Sequence, residues 1–262
     1  MTLTERQTVQ EDEYEIPYHY LAVSHRLLAL PDKIIATPIY LNYLKTVMDE
    51  LRPFRGQRIL EAGCGDGRFL YELRKETDNA ILHGIDYSAR AISFARVFNP
   101  GVALSVADLT KDLPFDDGYF DQIVLIETIE HIPPESLSHA LTEVARILKS
   151  GGRVVISVPH VNRKLDEKHY QHFDSNSLKR AIEPHFSVQD IRGYHNNSKA
   201  KNAMFLATIA IYYYLYPIRI PIVKKVSDCI SRMGNGFFKN YLETCAVDGG
   251  NSLICVARKD SG

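Results

Sequence analysis

No tryptophan occurs among the 262 residues, and only four cysteines do. Cys64, Cys229, Cys245 and Cys255 show no C-x-x-C spacing. That excludes a zinc-ribbon or disulfide framework and reads as reduced thiols in a cytoplasmic protein. A long apolar run is also missing. The uncharged stretch from Asn202 to Ile218 has 17 residues and meets Pro217, Arg219 and Pro221, whereas a spanning helix needs about 20 apolar residues. The opening MTLTERQTVQEDEYE lacks the basic start and apolar core of a signal peptide and reads as a frayed tail. Net charge is nearly absent too, at −1, which argues against a general polyanion binder and makes a nucleic-acid partner the weaker expectation. The charge is unevenly spread. Residues 1–130 carry 13 Lys/Arg against 21 Asp/Glu, a balance of −8, and residues 131–262 carry 18 against 11, a balance of +7. A basic second half suits an anionic substrate, a membrane surface or ordinary solvated faces.

What is present is alternation. In TPIYLNYLKTVMDEL, Thr37 is placed as an N-cap and Pro38 as the first helical residue, followed by an apolar stripe of Tyr40, Leu44, Val47, Met48 and Leu51. PYHYLAVSHRLLAL before it reads as a helical lead-in. From residue 58, RILE, ILHGID, VALSVA, DQIVLI, RVVISVP, FSVQDIRGY and NSLICVAR read as strands. Helices are expected over GRFLYELRKE, over SARAISFARVF with Ser88 as cap, over PESLSHALTEVARILK stopped by Ser150-Gly151-Gly152, and over DSNSLKRAI capped by Asp174. Such alternation predicts an α/β fold, a doubly wound, seven-stranded, mostly parallel sheet covered on both faces. The organisation follows: N-terminal tail and lid helices over 1–55, a core of 56–198 and 246–262, and a helical insertion over 199–245 before the last strand.

RILEAGCGDGRF sits where such a sheet binds its ligand, beyond the carboxyl end of the first strand. Gly63, Gly65 and Gly67 permit a tight turn and close approach of a ligand. The spacing is G-x-G-x-G, and Arg68 stands where a dinucleotide fingerprint needs its last glycine. Glu61 at the strand mouth repels a pyrophosphate and suits a cationic ligand, which points to a sulfonium nucleoside. Asp86 ends the second strand, where a carboxylate can accept two ribose hydroxyls.

EAGCGDG, GIDYS and VADLTKDLPFDDGYFDQIVL together resemble the motifs of class I S-adenosylmethionine-dependent methyltransferases, over about residues 56–194 and again in the last strand. The resemblance implies a Rossmann-like fold and a cofactor site of Glu61, Gly63, Cys64, Gly65, Gly67, Asp86, Tyr87, Asp108, Leu109 and Glu127. Within it, Glu61 meets the amino group of S-adenosyl-L-methionine, Asp108 and Leu109 the adenine, and Glu127 the methionine part. In related enzymes N-terminal helices fold over the cleft, which makes Tyr18, His19 and Tyr20 candidate lid residues.

ETIEHI (Glu127 to Ile132) starts where the fourth strand ends, beside the expected methyl group. Pro133 and Pro134 limit it to a single turn before a new helix. Three readings stand. Glu127, Glu130, His131 and His169, with His172 as the alternative, form a divalent metal site (Mn, Mg, Fe or Zn), as the ExxEH stretch of small-RNA 2′-O-methyltransferases and ubiquinone-pathway O-methyltransferases implies. Alternatively His131 or His169 is a metal-free base, with Glu130 beside it. Or EHIPP only shapes the pocket. The acceptor expected is an oxygen of a small molecule, sugar or lipid-linked glycan. The wording VPHVNRKLDEKHYQHFD is similar to bacterial methyltransferases that accompany cell-surface polysaccharide or secondary-metabolite synthesis. The rivals are an RNA-modifying enzyme and a cofactor-binding protein without turnover. Tyrosines and basic residues around the insertion fit a substrate lid, and equally a helix at the inner face of the membrane.

Overall fold

The computed structural model describes residues 3–20, 32–77, 79–196 and 245–261. The strands are β1 (Arg58–Ala62), β2 (Ile81–Asp86), β3 (Ala103–Val106), β4 (Phe120–Ile126), β5 (Leu148–Pro159), β6 (Ser187–Asn196) and β7 (Gly250–Arg258). They form one seven-stranded sheet in the order β3-β2-β1-β4-β5-β7-β6. The first five run parallel, and β7 is antiparallel to both neighbours. Central strands such as β4 read as nearly continuous apolar runs because both faces are covered. On one face pack α2 (Asp32–Glu50), α3 (Arg68–Glu76) and α4 (Ala89–Phe98), through Leu44, Leu51, Phe69, Leu73 and Ile92. On the other pack α5 (Pro134–Ile147) and α6 (Ser175–Ile182), through Leu141, Val144, Ile147 and Leu178. The strand order reverses between β1 and β4, so the crevice for a ligand opens at their carboxyl ends.

The helix starts follow their caps. Ser88 accepts from the Ala91 amide and Asp174 from the Ser177 amide, contacts typically worth about 1 kcal/mol each. The fold departs from the sequence expectations in three places. The acidic opening is not frayed: α1 (Glu5–Glu13) is a helix closed by a Thr4/Gln7 capping box. Helix α2 begins at Asp32 rather than at Thr37, with Pro38 inside it, where proline removes one amide donor. Helix α5 ends at Ile147, before Ser150-Gly151-Gly152, because Leu148 already pairs with Phe120 as part of β5. Residues 17–20 of the expected lead-in form a turn. Its remainder lies outside the described residues, and so does the insertion as far as residue 244. Among the described residues no helix is long and apolar enough to cross a membrane.

Candidate active site

The β1–α3 loop is built on left-handed glycines. Gly63 has φ 81° and Gly65 has φ 51°, values that side chains other than glycine's rarely adopt. A Cβ on Gly63 would lie 2.5 Å from Thr128 Cγ2, and one on Gly65 2.6 Å from the Tyr14 hydroxyl. Backbone amides pin the loop to the second strand. Gly63 and Cys64 donate to the Ile85 carbonyl at 2.8 and 2.9 Å. Gly65 and Ser88 donate to the two oxygens of Asp86, each at 2.9 Å. Burial nevertheless pushes the Asp86 carboxyl up to about 6, and those amides oppose the shift. Asp86 is thus a buried acid held rigidly at the end of β2.

Over this loop lies a cavity of about 300 Å³, within the usual span of small-ligand sites, about 300–1,000 Å³. Glu61, Gly63, Cys64, Gly65, Asp86 and Tyr87 line it, as do Asp108, Leu109, Glu127, His131 and His169. Gly67, Glu130, Tyr20 and His172, of the expected residues, are not among its lining. A Cβ on Gly67 would instead lie 2.5 Å from Asn99 Nδ2 and 2.9 Å from Ala95 Cβ, so this glycine serves the approach of α3 to α4. Glu61 is buried, and one carboxylate oxygen has no partner. Burial first, then the charge of Asp66, hold its carboxyl well above the usual range. A cationic ligand supplies the missing partner.

The ETIEHI stretch adopts the expected single turn, a 3₁₀ segment at Ile129–His131. It begins with Glu127 at φ 47°, a left-handed residue that is not glycine. Such strain collects at functional sites. The Glu127 carboxylate accepts from the Tyr43 hydroxyl at 3.0 Å and from Arg163 at 3.3 Å, and does not join the residues that follow it. Glu130 is fully buried with both carboxylate oxygens unpartnered. One potential ligand atom each from Glu130, His131 and His169 lie within 4.8 Å of one another.

The tautomers of the two imidazoles follow from their partners. His131 Nδ1 meets the Lys168 carbonyl at 3.3 Å, so it carries the proton and leaves Nε2 bare. His172 Nδ1 meets the Arg163 carbonyl at 3.2 Å, so its Nε2 accepts from His169 Nδ1 at 2.8 Å, leaving His169 Nε2 bare as well. Burial lowers His131 to about 4 and His169 to about 3, which keeps both rings neutral. Neutral imidazoles with oriented second nitrogens beside a buried carboxylate fit a divalent cation of the Mn, Fe or Zn kind. They fit a proton acceptor equally well.

Sequence reasoning placed Tyr18 and His19 in a lid, and both line the cavity, but it missed the helix that completes the roof. Helix α1 and residues 14–20 cross the cavity mouth, where Gln10, Tyr14, Tyr18 and His19 join the lining. Lys168 pairs with Glu13 at 2.6 Å, Arg6 donates to the His169 carbonyl and lies over the Tyr170 ring, and the Tyr87 hydroxyl donates to the Gln7 carbonyl. The available signal was the Thr4-x-x-Gln7 capping spacing.

Residues 59–152 match the model of a methyltransferase domain. A ubiquinone biosynthesis O-methyltransferase of Alkalilimnicola ehrlichii is 33% identical over 132 residues, 48% of this chain and 50% of that protein. A fatty-acid O-methyltransferase of Mycolicibacterium smegmatis is 37% identical over 98 residues, 37% of this chain and 35% of that protein. The chain thus spans half or less of the length of these curated relatives. Among solved structures, an S-adenosylmethionine-dependent methyltransferase of Archaeoglobus fulgidus superposes with a TM-score of 0.58 at 20% identity, covering 87% of this chain and 97% of that one. The phosphoethanolamine N-methyltransferase 2 of Haemonchus contortus, in complex with S-adenosylmethionine, gives 0.56 at 20% identity over 84% of this chain and 52% of that one. The fold is the Rossmann-like fold seen in S-adenosylmethionine-dependent methyltransferases, and residues 59–152 match a methyltransferase-domain model.

Proposed function

We propose that this chain transfers a methyl group from S-adenosyl-L-methionine to an oxygen of a small molecule, sugar or lipid-linked glycan. The observation that carries the reading is a single cavity that joins the glycine loop and the half-unpaired Glu61 to two neutral imidazoles. Bound there, the cofactor supplies a methyl group already activated on a sulfonium. Glu61 meets its ammonium, Asp86 its ribose hydroxyls, and Asp108 with Leu109 its adenine. The strained Glu127, held by Tyr43 and Arg163, fixes the wall beside the methionine part. What remains for the protein is to align the acceptor oxygen, exclude water and take one proton. Alignment can contribute about 7–11 kcal/mol, and a positioned base roughly 10²–10⁴ in rate.

His131 is the group we assign to the proton, because its bare Nε2 belongs to a ring that lines the cavity. His169, whose ring also lines the cavity, is the alternative, and the buried Glu130 lies beside them. The same three residues would hold a divalent metal, whose chemistry is to acidify the acceptor hydroxyl. The names of the curated O-methyltransferases favour an oxygen acceptor. An RNA acceptor has less support, since the chain's net charge is −1. The protein sits in the cytoplasm on this reading, and any membrane contact is peripheral, through the insertion.

Equilibrium dialysis against labelled S-adenosylmethionine tests the reading directly. The expected result is retention of about one equivalent; none retained overturns it. Repeating turnover with EDTA and with Mn²⁺ separates the two roles of the imidazoles. Indifference to both removes the metal and leaves His131 as the base.

A further inference from the structure

We infer that His19, aligned by Asp66, binds the α-carboxylate of the cofactor's amino-acid end. The inference rests on the cavity being an adenosyl-sulfonium site. Asp66 lies inside the glycine loop and is fully buried. Both of its oxygens are taken by one residue of the roof: the His19 amide at 3.1 Å and His19 Nδ1 at 2.8 Å. A carboxylate only accepts, so Nδ1 carries a proton. The ring is held further by stacking on Tyr40, with centroids 5.2 Å apart and planes 10° apart, and by Tyr18 at 4.0 Å. Arg68 closes the arrangement by donating to the His19 carbonyl at 3.0 Å. The other ring nitrogen, Nε2, has no hydrogen-bond partner among the described residues. The side chain keeps 25% of its exposure and lines the cavity.

The ligand's chemistry gives that nitrogen a task. An amino-acid end carries an ammonium and a carboxylate on one carbon. A pocket that recognises it needs an acid and a donor a few ångströms apart. Glu61 is the acid, and it lies close enough to Asp66 for that charge to be felt. The cationic side chains of the lining are already engaged: Arg68 with Glu72, Arg163 with Glu127, Lys168 with Glu13, and Arg6 with the His169 and Glu167 carbonyls. His131 and His169 present bare nitrogens rather than donors. Among the described lining residues, His19 Nε2, on the ring that Asp66 aligns, is the nitrogen left to meet the carboxylate. Because His19 belongs to the roof, a full amino-acid end would also tie the roof down over the site.

Ligand truncation tests this. S-adenosylhomocysteine and S-adenosyl-3-thiopropylamine differ only in the carboxylate, and both are stable thioethers for calorimetry. Wild type is expected to prefer the first by roughly 10–100-fold, the range of a charge-assisted contact. His19→Ala should lose most of that preference, with affinity for the truncated ligand changed less than about twofold. His19→Asn, which keeps a polar side chain, guards against a loss caused by misfolding. Equal losses for both ligands in both variants, or no loss for either, overturn the inference. Failure of wild type to bind either thioether overturns the cavity assignment itself, and is a distinguishable result.

Discussion

Replacing Gly65 with alanine tests how the roof and the glycine loop fit together. The new Cβ would meet two costs. Gly65 sits at φ 51°, where an L-side chain costs about 1–2 kcal/mol. It would also lie 2.6 Å from the Tyr14 hydroxyl but 3.5 Å from Tyr14 Cζ. The second cost therefore belongs to one oxygen atom, and overpacking of this size typically costs about 1–3 kcal/mol. Gly65→Ala alone should weaken S-adenosylhomocysteine binding by tenfold or more, because the roof can no longer close. In the double variant with Tyr14→Phe the contact relaxes to about the ring distance. About 1.4 kcal/mol, or tenfold in affinity, should return, while the backbone cost remains. Tyr14→Phe by itself should change affinity little. Calorimetry on the four proteins completes the cycle. If the double variant binds no better than Gly65→Ala, the space beside Gly65 belongs to the ligand rather than to Tyr14, and the account of the roof is wrong.

Other expectations concern stability. Glu143 of α5 accepts from Arg146 at 2.8 Å and from the Leu113 amide at 2.8 Å, tying the 113–117 loop to the helix. The Arg146 hydrogen bonds lower its carboxyl to about 2, a differential of about 3 kcal/mol at most before solvent screening of the half-open guanidinium. That stabilisation is full above the unfolded carboxyl value and is lost as pH falls towards 2, so Glu143→Gln should flatten the acid limb of a denaturation-versus-pH curve. An unchanged limb would refute the linkage. His131 and His169, lowered to about 4 and 3, work at higher pH. Their contribution is complete above about 6.5 and fades as pH drops through 4 and 3, because the unfolded chain takes up protons first. Replacing both with Gln should reduce the rise of stability with pH between 4 and 6.5, as urea midpoints would report.

The sheet is legible because its central strands carry short apolar runs bounded by turns, and the caps at Ser88 and Asp174 are local signals. The glycine loop was legible for the same reason: φ above zero and close approach leave few residue choices. Misjudged were features decided by tertiary contact. The charge-rich α1 has a buried face of only Gln10, so apolar periodicity gave no hint of a helix. Its anchors, Lys168 and the 167–170 backbone, lie about 150 residues away in sequence. The four-residue metal set rests on the ExxEH resemblance together with spacing. Spacing put Glu127, Glu130 and His131 on one helical face, but the left-handed Glu127 turns its carboxylate towards Tyr43 and Arg163, leaving three. Asp66 carries no local signal of its role, because its partner His19 lies 47 residues away in sequence.

Two buried carboxylates with unpartnered oxygens, Glu61 and Glu130, distinguish stability from function within one fold. A buried acid without a partner costs free energy unless it is neutralised or meets a cation. Glu61→Gln should therefore melt no lower than wild type, since the amide needs no proton to stay neutral. It should still lose cofactor affinity by about tenfold or more, as expected when a charge-assisted contact becomes neutral. A residue kept for packing would behave oppositely, with melting temperature and affinity falling together. That joint fall would show that Glu61 supports the β1–α3 junction rather than recognising a cation, and it would remove the electrostatic basis for assigning the cavity to a sulfonium.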